Sequence, residues 1–382
     1  MRRSTPWTEV GRRLAVCAAI APLIAGCGSG DGHADVSART VDAVPQDLSI
    51  SLVAAGDRAG WVAGVAGDQR PVWLWRLTPD GAVYQMAELP NLMSMDGEAV
   101  GDQLAVAGLR CIGEDPDAWA EECTASRAEV LLIDDSGEIA DVTLFDDDTA
   151  IDSGDGLEIA GSTPDSVWVS TERGLFEVSV DGGVVREVSD TTGGHCVVDG
   201  SLYRILGPAS RAEPTGGSSP PVEVVDATQQ VGTRSVEVHR LGGDGFTPVP
   251  GGGHEVDDVG YFGLRCTRYG WEATGPDGAL TDRWTPTDGW QATRREPAPA
   301  MAALSERSGV FALSADGKVL GRGPDGTFTA LGIRLPILGE PGQMPASLTA
   351  DRSPSMVVAC TTRSTSQTNT ETVCQAVAAP SA

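Results

Sequence analysis

Lysine is all but missing from this chain: Lys318 is the only one in 382 residues, and histidine occurs four times. Basic side chains number 27 against 54 acidic ones, for a formal charge of −27. Phosphate backbones and anionic headgroups are bound by Lys and Arg that neutralise them, so this balance repels both and excludes nucleic acid as a partner. The bias toward arginine, alanine and glycine fits GC-rich codon usage, a salt-adapted habitat or an alkaline one. No long helical period runs through the body of the sequence. Also missing are a G-x-S-x-G elbow, an H-E-x-x-H helix and any C-x-x-C pair, which removes the sequence signatures of α/β-hydrolases, zincins and zinc ribbons. A catalytic triad assembled from distant residues would have to use His195, His239 or His254.

The first thirty residues carry an address. Arg2, Arg3, Arg12 and Arg13 precede an apolar run of 11 residues from Leu14 to Ile24, followed by the small residues Ala25 and Gly26. That is the layout of a secretory signal. The run falls short of the roughly 20 residues a helix needs to cross the hydrocarbon core, and Pro22 interrupts it. The residues Leu23-Ile24-Ala25-Gly26-Cys27 resemble the lipobox of bacterial lipoproteins. The resemblance implies a signal peptide over 1–26, diacylglycerol on Cys27, cleavage just before it, and a working part moored outside the cytoplasm. Cleavage there removes four arginines and Glu9, which takes the charge from −27 to −30. Residues 27–47, rich in Gly, Ser, Asp and Ala, read as a tether.

Beyond Cys27 the exported chain has six cysteines: Cys111, Cys123, Cys196, Cys266, Cys360 and Cys374. An even number outside the cytoplasm reads as a disulfide framework.

From residue 48 onward the recurring unit is a β-rich run, a Gly-containing turn and a second run. Val72–Leu77, Asp80-Gly81 and Ala82–Leu89 form one such unit. The turns continue at Ser136-Gly137, Asp181-Gly182, Asp244-Gly245, Asp277-Gly278 and Asp325-Gly326, and a polar stretch from Ser364 to Thr372 separates the last two apolar runs. Asp-Gly and Ser-Gly steps supply the positive φ a hairpin needs. Their spacing is near the roughly 40 to 50 residues of a propeller blade. The expectation is an all-β fold over 48–382, a β-propeller of seven blades within a range of six to eight. The Pro-, Ser- and Gly-rich segment 207–232 reads as a low-complexity insertion in the fourth blade; the rival is two all-β domains divided there.

Gly108-Leu109-Arg110-Cys111 recurs as Gly263-Leu264-Arg265-Cys266, and Gly275-Pro276-Asp277-Gly278 as Gly323-Pro324-Asp325-Gly326. If the repeated cysteines, with Cys360, occupy equivalent blade positions, Cys111 bonds Cys123 and Cys360 bonds Cys374 within a blade. That leaves Cys196 for Cys266. In architecture alone the chain resembles bacterial β-propeller lipoproteins; no WD dipeptide, kelch diglycine or sialidase Asp-box is present.

Several loops hold groups with chemistry. Asp146, Asp148, Asp152 and Asp155 lie close together among glycines, the hard-oxygen composition that calcium takes. Their spacing departs from an EF-hand, and a solvated acidic loop is the plainer reading. His254, Glu255 and Asp257 follow three glycines and are expected in a blade-connecting loop, as a cation or acid–base group or as a solvated turn. Trp119, set among five acids between Cys111 and Cys123, would sit in a pinned loop open to a partner or would pack on the blade. Trp61, Trp73, Trp75, Trp168, Trp271, Trp284 and Trp290 are expected mainly in the packing between blades.

The expected function is a lipid-anchored extracytoplasmic propeller that binds an envelope protein or a cell-wall glycan. The rivals are a lyase or hydrolase acting at the central channel and a cation-binding sensory module. Replacing Cys27 by alanine is expected to abolish incorporation of labelled palmitate and to move the protein out of the detergent-rich phase; retained label would refute the lipid assignment.

Overall fold

The computed structural model describes residues 39–41, 43–66, 71–90, 92–112, 125–147, 157–189, 193–207, 232–258, 264–274, 280–292, 302–304, 309–336, 347–364 and 370–379. Alternation of apolar and polar residues, broken by tight Gly turns, produces short antiparallel strands that pair with their sequence neighbours. They group into seven separate sheets.

A short first strand, β1 (Arg39–Val41), precedes blade 1, which consists of β2 (Leu48–Ala55), β3 (Gly60–Ala66), β4 (Val72–Leu77) and β5 (Val83–Leu89). Blade 2 holds β6 (Leu92–Val100), β7 (Gln103–Cys111), β8 (Ser126–Ile133) and β9 (Ile139–Asp147). Blade 3 holds β10 (Glu158–Ser162), β11 (Ser166–Ser170), β12 (Leu175–Ser179) and β13 (Gly183–Val188). In blade 4 are β14 (Gly194–Val198), β15 (Ser201–Leu206), β16 (Gly232–Gly242) and β17 (Gly245–Asp258). Blade 5 contains β18 (Leu264–Thr267), β19 (Gly270–Thr274), β20 (Leu280–Thr285) and β21 (Gly289–Ala292). Blade 6 contains β22 (Ala302–Leu304), β23 (Val310–Leu313), β24 (Lys318–Arg322) and β25 (Phe328–Arg334), and blade 7 ends the series with β26 (Ser347–Arg352), β27 (Met356–Ser364) and β28 (Thr370–Ala378).

Within each blade the strands run in chain order, with β1 added beside β5, and the first strands of blades 1 to 5 touch in succession, as do those of blades 6 and 7 and, closing the ring, β26 and β2. This is a seven-bladed β-propeller, as the turn spacing predicts. The low-complexity segment joins β15 to β16, which pair with each other in one sheet.

The tight turns behave as their residues require. Gly81, Gly137, Gly182, Gly245 and Gly326 all have positive φ and join the third and fourth strands of blades 1, 2, 3, 4 and 6. Two assumed equivalences fail. Asp277-Gly278 lies outside the described residues, between the second and third strands of blade 5. The turn matching the others there is Asp288-Gly289, with Gly289 at φ 67°. The repeated Gly-Leu-Arg-Cys also falls on different strands: Cys111 ends the second strand of blade 2, whereas Cys266 is in the first strand of blade 5. The motif satisfies strand alternation anywhere in a sheet, so it does not specify a place.

The core lies between blades. Leu52, Trp61, Leu74, Leu104 and Leu131 join blades 1 and 2, and Trp168, Leu175, Val197 and Leu202 join blades 3 and 4. Tyr203, Val238, Trp271 and Trp284 join blades 4 and 5. Five of the seven tryptophans considered above are buried here. Fully burying one such side chain contributes on the order of 2–3 kcal/mol. Between blades 5 and 6 the described contact is instead ionic: Glu272, only 2% exposed, meets Arg283 of its own blade and Arg322 of the next at 2.6 Å.

Closure of the ring uses side chains that grip backbone. Asp351 Oδ2 accepts the Ala55 amide at 2.7 Å, and Ser353 Oγ donates to the Gly56 carbonyl at 2.7 Å. Thr372 donates from Oγ1 to the Leu48 carbonyl and from its amide to the Gln46 carbonyl, both at 2.6 Å. Val44, Leu48, Val62, Trp75, Met356 and Val358 fill the same seam. Asp351→Ala is expected to leave the Ala55 amide without its acceptor at the seam and to cost about 1–3 kcal/mol. Urea denaturation reads it; an unchanged midpoint would show that the bond does not close the ring.

Candidate functional site

The innermost strands bring a set of carboxylates to the propeller axis. Asp96 Oδ2 on β6 accepts the Ile159 amide of β10 at 2.8 Å, and Glu98 Oε1 accepts the Ser162 hydroxyl at 2.6 Å. Asp351, besides its bond to Ala55, accepts the Arg352 amide at 2.8 Å. Each of these acids reaches from one blade to the first strand of the next, or turns its own strand end. Burial pushes the Glu98 carboxyl up to about 7, and repulsion from Asp351 adds to the effect against the Ser162 hydrogen bond. Near neutral pH the Glu98 carboxyl is therefore poised between its protonated and ionised forms.

The disulfide Cys196–Cys266 stands among the same strands. It joins β14 to β18 with an S–S distance of 2.04 Å and so crosslinks blades 4 and 5 at their inner ends. Cys360–Cys374 joins directly opposed residues of β27 and β28. Both pairs follow the sequence expectation. Cys111 is disulfide-bonded; Cys123 lies outside the described residues.

The three histidines of the body separate. His195, Arg204 and His239 stand opposite one another across β14, β15 and β16, each about 8% exposed. Arg204 lies over Phe246 at 4.4 Å and His195 packs against the same ring, while His239 Nε2 is 3.0 Å from Glu237. His254 sits on the opposite face, stacked on Trp290 with ring centroids 4.9 Å apart and 3.2 Å from Asp282. Alternation along one blade sends the first pair toward blade 3 and His254 toward blade 5, so the three do not converge.

His254, Glu255 and Asp257 are not in a loop, as the preceding glycines suggested. They lie in β17, whose pairing with β16 continues from Gly232 to Ser235, past the end of β15. The β16–β17 hairpin therefore projects beyond its blade. Glu255 is exposed there, on the strand face opposite His254. Asp146 is in β9. Asp148, Asp152, Asp155, Trp119 and Cys27 lie outside the described residues. Among the described residues no group of three His, Cys, Asp or Glu is placed to hold a metal ion.

Sequence reading missed the axial carboxylates. Asp96 and Glu98 stand two residues apart on one ordinary strand, and only the assembled ring brings Asp351 of blade 7 toward Glu98. Strand order was the available signal: all three lie in the first strand of a blade.

No family model and no curated protein matches the chain. Among solved structures it is similar to the β-propeller domain of the trilobed protease from Pyrococcus furiosus, at 8% identity over 87% of this chain and 94% of that one, with a TM-score of 0.42. It is also similar to a prolyl endopeptidase, at 13% identity over 87% of this chain with a TM-score of 0.42, and spans 50% of that enzyme's length. A protein from Bacteroides caccae matches at 14% identity over 64% of this chain and 74% of that one, with a TM-score of 0.31. Likenesses this distant decide nothing about activity.

Glu129, paired with Arg110 at 3.0 Å, is likewise raised to about 7, by burial acting against the guanidinium. Both carboxyls hold a proton more tightly folded than unfolded, where the ordinary value is 4.5. Their contribution to stability is thus complete below about pH 4.5 and is lost as pH rises through about 7. Glu98→Gln is expected to flatten the fall in melting temperature across that window, with Glu98→Gln/Glu129→Gln flatter still. A slope identical to wild type in the double variant would reject this account.

Proposed function

We propose that the chain is a lipid-anchored, extracytoplasmic propeller that binds another envelope protein or a cell-wall component at one rim. The observation that carries this reading is where the long connections leave the strands. In an up-and-down blade the connections between first and second and between third and fourth strands share one end; those between second and third strands and between blades share the other. Segments 112–125, 148–157, 207–231, 293–301 and 335–346 all join strand ends of the second kind. The first kind is served by tight turns such as 78–82 and 134–138.

Long connections carried on a rigid scaffold are where binding residues concentrate, because length and side chains vary there without disturbing packing. The projecting part of the β16–β17 hairpin, with Glu255 exposed, stands at this same end. The disulfides support an oxidising compartment, which agrees with the lipobox. The excess of acid favours a neutral or cationic partner.

A photo-crosslinking residue at Glu255, compared with one at Asp181 on the opposite end, tests the reading in intact envelopes. The expected result is one discrete adduct from position 255 and none from 181. Adducts from 181 alone, or from neither, would overturn it.

A further inference from the structure

Blade 7 is one strand short. Its sheet is β26-β27-β28, whereas blades 2 to 6 each have four strands and blade 1 has five because β1 adds to the outer edge of β5. Among the described residues no strand pairs with the outer edge of β28.

The hydrogen-bond parity of that edge can be worked out. The Ala379 amide donates to the Ser355 carbonyl, and the β27–β28 register is continuous from Met356↔Ala378 to Ser364↔Thr370. Hydrogen-bonded and non-hydrogen-bonded pairs alternate in an antiparallel ladder. Residues 371, 373, 375 and 377 therefore turn their amides toward β27, and Thr372, Cys374, Ala376 and Ala378 turn theirs outward. The 4.1 Å Cα separation of Cys360 and Cys374 fits a non-hydrogen-bonded pair. The outward Thr372 amide is taken by the Gln46 carbonyl. One rung of a fourth strand is thus already supplied by the chain itself, and the amides of Cys374, Ala376 and Ala378 continue the same row.

Other outer strands carry the features that discourage further pairing. β9 carries Asp141, Asp146 and Asp147; β13 has Arg186 and Glu187; β17 contains Pro248 and Pro250; β21 has only four residues; β25 carries Arg334 and a left-handed Gly332 at φ 83°. β28 runs for nine residues without proline, glycine or lysine, and its one charge is Glu371 near the start. Its side chains divide between two partly covered apolar clusters, Val373 and Val377 toward blade 6 and Cys374 and Ala376 toward blade 1. The Cys360–Cys374 bond holds the strand in place, which lowers the ordering cost of adding to it.

We propose that the outer edge of β28 accepts an extended segment of another polypeptide as the fourth strand of blade 7. A row of backbone donors and acceptors is satisfied by another backbone, so the ligand class is a peptide strand. Apolar ground on both faces calls for valine, isoleucine or threonine at successive positions, and the net charge of −27 calls for a neutral or basic segment. This surface is separate from the rim proposed above, and each stands if the other fails.

The test uses the full-length protein in detergent and a synthetic ten-residue peptide alternating valine with threonine and lysine. Amide exchange at Cys374, Ala376 and Ala378 is expected to slow by about ten-fold or more with peptide. Ala376→Pro removes an outward amide and no ladder bond to β27, so it is expected to keep the melting temperature and the Cys360–Cys374 bond while losing the peptide. Ala378→Pro repeats the test at the strand end should the first variant fold poorly. Unchanged exchange at millimolar peptide, or undiminished binding by a folded proline variant, would overturn the proposal. Protection that grows with protein concentration alone, with dimers in sedimentation, would give the edge to a second copy and overturn it equally.

Discussion

A ring of seven sheets must hold where its two ends meet, since every other junction joins blades that follow one another along the chain. Among the described residues the ends meet without a shared strand. Asp351, Ser353 and Thr372 of blade 7 reach across to backbone groups of residues 46–56, and each contact joins positions roughly 300 residues apart. Such contacts form only after the intervening blades are arranged, so the seam depends on the whole circle and in turn fixes its circumference. The apolar seam of Val44, Leu48, Met356 and Val358 excludes water from these bonds, which raises the penalty for breaking any one of them.

The same economy of polar groups recurs at the other junctions. Asp96 and Glu98 tie blade 2 to blade 3, and Cys196–Cys266 ties blade 4 to blade 5, closing a 70-residue separation worth about 4 kcal/mol on a loop-entropy model. Arginine takes a large part of the remainder. Arg76 donates to the Asp135 carbonyl, Arg186 to that of Gly242 and Arg268 to that of Arg352, each from one blade to another. A planar guanidinium with several donors can serve a carboxylate and a carbonyl together, as Arg283 does with Glu272 and Pro324, where an ammonium offers only a point charge. An almost lysine-free chain is therefore well supplied for this architecture. Glu272 shows the cost: removing it would leave two guanidiniums in a nearly water-free junction, which is why that acid is held so firmly.

Much of the fold was legible because turns obey local rules. Gly81, Gly137, Gly182, Gly245 and Gly326 need positive φ wherever they sit, so their spacing reports the blade repeat directly. The disulfides were legible for a related reason, since Cys360 and Cys374 bracket a single hairpin. What failed was the inference from repeated words to equivalent places. Gly-Leu-Arg-Cys fits a second strand in blade 2 and a first strand in blade 5 equally well, because pairing partners and not the strand's own residues decide its rank within a blade. The axial carboxylates and the row of His195, Arg204 and His239 across blade 4 were illegible on the same ground: which strand lies at the axis, and that β16 pairs beside β15 across the long 207–231 connection, is decided by the assembled sheets. His254 to Asp257 read as a loop because glycines precede them, yet pairing with Gly232–Ser235 carries the strand straight through.

The distribution of charge then limits what the outside of the molecule can do. With a formal charge of −27, long-range repulsion keeps copies and other acidic chains apart at low salt. Repulsion of this kind is non-directional, so it protects poorly against backbone pairing at a single uncharged edge. Five of the outer strands carry local defences as well, and β5 is covered by β1. An edge that is long, straight and stapled by a disulfide, and that already shares one rung with Gln46, departs from that pattern at one place only. Local features that would have been simple to add there are missing, and the strand-pairing groups of Cys374, Ala376 and Ala378 are left as the least defended backbone among the described outer strands.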